Sequence, residues 1–140
     1  MIVLDTNVIS ELTRQVPEPA VLSWLNAWPA AEVATTAITA AELLYGIARL
    51  PGGHRKTALS AAVHGLLADD FRGRVLPFDD RAAPQYAGIV SGRDRLGRPI
   101  GVADAQIAAI CRASGAELAT RNVDDFEDTG IGLINPWKLG

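Results

Sequence analysis

Ile2, Val3 and Leu4 form an apolar, β-prone run that stops abruptly at a carboxylate, a hydroxyl and an amide: Asp5, Thr6 and Asn7. A run this short, ending in polar residues and followed by helical periodicity, fits a strand of a parallel sheet, where ligands gather beyond the carboxyl ends of strands. The same alternation recurs along the chain. Ile2 to Leu4 reads as strand one, and Val8 to Thr13 as a short helix. Pro17 and Pro19 lead into a second helix striped by Val21, Leu22, Trp24, Leu25 and Trp28. Glu32 to Thr36 reads as strand two, and Thr39 to Leu50 as a helix stopped by Pro51-Gly52-Gly53. A longer amphipathic helix covers Lys56 to Asp69, strand three Arg74 to Phe78, and a further helix Asp79 to Leu96. After Gly97-Arg98-Pro99, Val102 to Ala113 is the most apolar helix, with Gly115 placed for a left-handed cap. Glu117 to Thr120 and Ile131 to Ile134 supply strands four and five. Strands alternating with helices imply an α/β fold with a mostly parallel five-stranded sheet and helices on both faces.

No composition shift, repeat or linker divides the chain, so residues 1–140 read as one domain large enough for a single core. No apolar run reaches the roughly 20 residues that span a bilayer. The N-terminus carries no basic segment followed by a long apolar stretch, so the expected location is cytoplasmic and no membrane partner is expected. A single cysteine, Cys111, rules out an internal disulfide and a cysteine metal cage, and its apolar neighbours make it a small buried hydrophobe. The net charge of −3 is not that of a general nucleic-acid binder. An acidic reaction centre with local arginines would reconcile that charge with a nucleic-acid substrate.

Three carboxylates stand out in apolar surroundings. Asp5 fits either a helix cap or a functional group, and Thr6 and Asn7 could also cap, so three polar residues exceed what a cap needs. Thr39-Ala40-Ala41-Glu42 fits a capping box, a structural role compatible with a functional one at the same sheet edge. Asp104 opens a nearly all-apolar helix. The helix dipole favours it by only ~0.3–1 kcal/mol, too little to offset burial of an unpaired charge, whereas a bound cation would suffice. Converging carboxylates raise one another's pKa or take up a cation, and Mg²⁺ and Mn²⁺ prefer such oxygen donors. A site of this kind can activate water and neutralise charge on a phosphodiester. His54 and His64 do not form a zinc pair and are expected to face solvent.

Several motifs, in order, give the chain a family likeness. They are Met1-Ile2-Val3-Leu4-Asp5-Thr6-Asn7-Val8-Ile9-Ser10-Glu11, Thr39-Ala40-Ala41-Glu42-Leu43 with Gly46, and Leu76-Pro77-Phe78-Asp79. Then come Ile100 through Ala109, including Asp104, the run Ala119-Thr120-Arg121-Asn122 through Phe126, and Asn135-Pro136-Trp137. No single motif decides; the ordered set resembles the PIN-domain ribonucleases, specifically the VapC and FitB toxins of bacterial toxin–antitoxin pairs. The resemblance implies that Asp5, Glu42 and Asp104 bind Mg²⁺ or Mn²⁺ and serve catalysis, with Thr6 beside them. Asn122 stands where many PIN domains carry a fourth acidic residue. It offers hydrogen bonding without charge, which keeps single-metal hydrolysis while questioning a second metal; Asp124 and Asp125 are the candidates to substitute.

The expected activity is metal-dependent endoribonuclease cleavage by a toxin. Arg98 and Arg121, flanking the acidic positions in sequence, are the candidates to meet substrate phosphate, since the guanidinium fork suits phosphate oxygens. For each taken singly, a solvated surface arginine is the plainer reading. The resemblance also implies a homodimer, RNA as substrate, and a cognate antitoxin of the VapB/FitA kind that carries the complex onto DNA. In such pairs the antitoxin's C-terminal segment fills an apolar groove among the early helices. Leu12, Val21, Leu22, Leu43 and Ile47 are either its lining or plain core, and Trp24 and Trp28 read as core or subunit-interface anchors rather than base-stacking platforms. Two other readings stay open. One is a catalytically weak PIN-fold module that acts mainly by binding its antitoxin at an operator; the other is a phosphotransfer or receiver domain, which lacks support in the Asp5-Thr6-Asn7 pattern.

Overall fold

The computed structural model describes residues 1–139. Five strands, β1 (Ile2–Leu4), β2 (Val33–Thr36), β3 (Val75–Leu76), β4 (Glu117–Ala119) and β5 (Leu133–Ile134), form one sheet in the order β3-β2-β1-β4-β5. Every pairing is parallel, with Ile2 opposite Val33 on one side and Glu117 on the other. The central strand β1 is wholly buried, as expected where helices cover both faces. The two edge strands are shorter than the sequence suggests. In β3 only Val75 and Leu76 pair, opposite Thr35 and Thr36, because Pro77 has no N–H to extend the ladder.

Alternate residues of β1 divide the core. Val3 packs with Ala34 and Leu118 against Ile89 of α5 (Ala82–Arg95) and Ile107 and Ile110 of α6 (Val102–Ser114). Ile2 and Leu4 face the other way. There they meet α1 (Thr6–Leu12), α2 (Pro19–Asn26), α3 (Ala37–Ala48) and α4 (His54–Gly65), through Val8, Ile9, Val21, Leu43, Ile47 and Val63. Trp24 and Trp28 pack against this second cluster, edge to face at 6.2 Å. Cys111 is buried, and burial, with the Asp5 charge adding to it, pushes its thiol up to about 12.

Helix starts decide where the polar groups go, and two of the four that differ from the sequence reading shape the site. The first helix begins at Thr6 rather than Val8, because Asp5 itself is the cap: its backbone is extended and its carboxylate accepts from the Thr6 N–H. The third begins at Ala37, directly after β2, with Thr36 as cap accepting from the Thr39 N–H at 3.0 Å. Glu42 therefore lies in the second turn, cannot close a capping box, and is released for another partner. The last helix ends as expected on Gly115 in the left-handed region (φ 64°), with the Ala116 N–H returning to the Cys111 carbonyl.

Candidate active site

Beyond the carboxyl ends of β1, β2 and β4 lies a pocket of about 520 Å³ lined by Asp5, Thr6, Glu42, Asp104, Arg121 and Asn122 among others. The strand order creates it: β1 and β4 are neighbours, so their terminal residues Asp5 and Thr120 meet across 115 positions of sequence. Thr120 Oγ1 donates to Asp5 Oδ2 at 2.7 Å and accepts the Asn122 N–H at 3.0 Å. Asn7 Nδ2 also reaches Asp5 Oδ2, at 3.3 Å, while its Oδ1 accepts the Arg121 N–H at 3.1 Å. From the other side Thr6 Oγ1 donates to Glu42 Oε1 at 2.7 Å, within 3.2 Å of the Thr39 hydroxyl. Asp104 enters from the first turn of α6.

The electrostatics are those of crowded acids. Burial drives the Asp5 pKa above its ordinary value; hydrogen bonds from Thr120 and Thr6 oppose this, and the charges of Glu42 and Asp125 reinforce it. Asp104 is pushed up to about 6, first by burial, then by Asp5, Asp125 and Glu42. Arg93 counters weakly. That arginine is itself buried and donates only to the carbonyls of Arg98, Asp125 and Glu127, fixing the loop that carries Asp125.

Among the described residues no three histidine, cysteine or acidic side chains converge closely enough to cage a metal. The donors nevertheless suit a hard cation that keeps much of its water: several carboxylate oxygens face one pocket, and burial first, then repulsion between neighbouring acids, holds up the pKa values of Asp5 and Asp104.

The structure thus gathers Asp5, Thr6, Glu42, Asp104, Asn122 and Arg121 in one place. It does not bring Arg98 there. Arg98 is paired with Glu127 (3.2 Å) and Asp128 (3.1 Å) and bonded to the Asp124 carbonyl. Asp125 is near enough for its charge to act on Asp5 and Asp104, although it borders the neighbouring depression beside Asn122. Thr120 and Glu11 escaped the sequence reading. A polar residue at the end of strand four, repeating Asp5 at the end of strand one, was the available signal for Thr120. Glu11, in a helix turn with Arg14 three residues on, looks like a solvated pair; it is 5% exposed and lines the pocket.

A second, larger groove of about 1190 Å³ runs between α1, α3 and α4, sharing Thr6, Ser10, Arg14 and Glu42 with the acidic pocket. Leu43 and Ile47 line it with Leu50, Leu59 and Val63, while Val21 is plain core. Leu12 and Leu22 face a separate depression with Leu25 and Trp28. His54 and His64 are exposed as expected, and His54 borders the groove.

Residues 2–132 match the PIN domain family. The chain is a PIN domain. It is 44% identical over 138 residues to the VapC ribonuclease Y4jK of Sinorhizobium fredii, covering 99% of each chain. To the toxin FitB of Neisseria gonorrhoeae it is 39% identical over 137 residues, covering 98% of this chain and 99% of the relative. The PIN fold here superposes on a structure of FitAB bound to an IR36 DNA fragment with a TM-score of 0.93 at 38% identity, covering 100% of this chain and 98% of that one. No helix among the described residues is long and apolar enough to cross a membrane.

Proposed function

We propose that this PIN domain is the toxin of a toxin–antitoxin pair and an endoribonuclease dependent on Mg²⁺ or Mn²⁺, cutting RNA at the Asp5/Glu42/Asp104 pocket. The observation that carries the reading is that these carboxylates line one pocket at one sheet edge, two of them with raised pKa. The names of its relatives support the same activity, since VapC ribonuclease Y4jK matches nearly end to end.

Asp5, Glu42 and Asp104 would hold the cation. When bound, it supplies Lewis acidity toward water and the phosphodiester. The chain's own residues do the rest. Thr120, Asn7 and the Thr6 N–H lock the Asp5 carboxylate, so its oxygens are pre-oriented rather than free to rotate. The Thr6 hydroxyl does the same for exposed Glu42. Asp104, raised to about 6 by burial and its acidic neighbours, would be drawn into its ionised form by the cation. Arg121, at the pocket wall, would take a phosphate oxygen of the bound RNA. Asn122 would orient water or substrate by hydrogen bonding, without adding charge.

The proposed partner is an antitoxin of the FitA or VapB kind, a segment of which would occupy the groove between α1, α3 and α4, with the toxin as a homodimer in a DNA-bound assembly. The acidic pocket opens onto that groove through Thr6, Ser10, Arg14 and Glu42, so a seated segment could close the pocket.

The test is cleavage of a mixed structured-RNA pool by the antitoxin-free protein in Mg²⁺, Mn²⁺ or EDTA, beside Asp5→Asn and Asp104→Asn. Cutting that needs the cation and is lost in both variants is the expected result. Equal inertness of all three proteins on every RNA would reject it and favour the alternative, a PIN-fold module that acts by binding its antitoxin on DNA.

A further inference from the structure

Two arginines line the pocket, and Arg14 is neutralised locally by Glu11 at 3.0 Å. Arg98, outside it, is paired with Glu127 and Asp128. Arg121 forms no ion pair among the described residues. Its guanidinium lies instead over the ring of Trp137, 4.9 Å from the centroid, and both side chains line the acidic pocket.

Trp137 is itself tied down. Its backbone N–H donates to Asn135 Oδ1 at 3.0 Å, and Asn135 Nδ2 reaches the Arg121 carbonyl at 3.5 Å. Its side chain and Glu11 line the same pocket. Glu11 is buried, and its carboxylate accepts from Arg14 and, at 3.1 Å, from the Glu18 N–H. Burial alone would raise the Glu11 pKa, but the Glu18 N–H, Arg14 and Trp137 outweigh it, so the group stays ionised below its ordinary range. The ring near the C-terminus, held through Asn135 to the Arg121 backbone, carries the cation beside the buried Glu11 carboxylate. A long arginine side chain in solvent samples many rotamers; a π-face removes most of them without neutralising the charge. With one face of the indole taken by the guanidinium, that face has no room for a nucleobase.

We propose that Trp137 is a positioning residue that holds the Arg121 guanidinium at the acidic pocket to receive an RNA phosphate. The inference rests on the ribonuclease reading for its ligand, and it assigns Trp137 to substrate affinity rather than to bond cleavage.

The experiment uses the full chain and a labelled single-stranded RNA of mixed sequence. Binding is measured by anisotropy in EDTA over a range of NaCl concentrations, and KM and kcat are measured separately in Mg²⁺. The proteins are wild type, Arg121→Ala, Trp137→Leu, Trp137→Phe and the Arg121→Ala/Trp137→Leu double variant. One lost phosphate contact should lower the slope of log affinity against log salt by ~0.7 in Arg121→Ala. Trp137→Leu should weaken RNA binding several-fold and lose part of that slope. Trp137→Phe, which keeps an aromatic face, should lose less. The double variant should bind no worse than Arg121→Ala, and in Mg²⁺ the loss should fall on KM. If Trp137→Leu does not fold, the same cycle run with Trp137→Phe decides. Additive losses, unchanged RNA affinity in the Trp137 variants, or no RNA binding by wild type would overturn the assignment. Binding that follows the expected cycle without cleavage by wild type would sink the nuclease reading and leave Trp137 where it is placed.

Discussion

At the scale of single residues, the site depends on how a buried carboxylate is satisfied. Asp5 is 5% exposed, and its Oδ2 shares the Thr120 hydroxyl with the Asn122 N–H. Thr120→Val keeps the shape and removes both bonds. An unsatisfied buried polar group costs about 1–3 kcal/mol, so urea unfolding should show a loss in that range, with Thr120→Ser close to wild type. RNA cleavage should fall with it, because Asp5 would lose its fixed orientation; a Thr120→Val protein as stable as wild type would contradict this account. Asp5, Glu42 and Asp104 were legible in sequence because each is a charge in an apolar run, which demands a reason. Thr120 and Glu11 were not, because an ordinary threonine and an ordinary i,i+3 pair acquire meaning only when the fold brings distant segments onto them.

At the scale of elements, the alternation of strands and helices was readable throughout, and the helix starts less so. Asp5 and Thr36 both cap a helix immediately after a strand, leaving no connecting loop. Sequence patterning placed the third helix at Thr39, because a hydroxyl three residues before a glutamate imitates a capping box. The true cap is three residues earlier, and that shift converts Glu42 from a structural to a pocket residue. The two positions should therefore respond differently. Thr36→Ala should cost about 1 kcal/mol of stability through the lost cap. Glu42→Gln, exposed and free of any capping role, should stay within about 0.5 kcal/mol while abolishing metal-dependent cleavage. Denaturation curves and RNA assays on the pair separate the roles, and a Glu42→Gln protein destabilised as much as Thr36→Ala would restore the capping-box reading. The edge strands were overextended in sequence for a related reason: apolar residues flanking β3 and β5 are required by packing, whereas strand length is set by a single neighbour.

At the scale of the whole molecule, a net charge of −3 conceals an uneven distribution, because the parallel sheet delivers Asp5, Glu42 and Asp104 to one edge and the Arg93-held loop brings Asp125 close. Without a cation, folding must assemble that repulsion. Asp104 has a pKa of about 6 in the fold against 3.8 in the unfolded chain, and Asp5 is shifted the same way. The native state therefore holds more protons than the unfolded state between those values, and stability must fall as pH rises through the interval. Glu11 has the opposite sign, its contribution being lost only on acidification below its unfolded value of 4.5, so it does not enter above pH 5. In EDTA the midpoint of thermal unfolding should be higher at pH 5 than at pH 7. Mg²⁺ should raise it more at pH 7, where the carboxylates are ionised, because a ligand that binds only the native state stabilises it by mass action. Asp104→Asn should flatten the EDTA profile and weaken the response to Mg²⁺. A midpoint that rises from pH 5 to pH 7 in EDTA, or a Mg²⁺ response equal at both, would mean that these acids are compensated within the fold and do not require a cation.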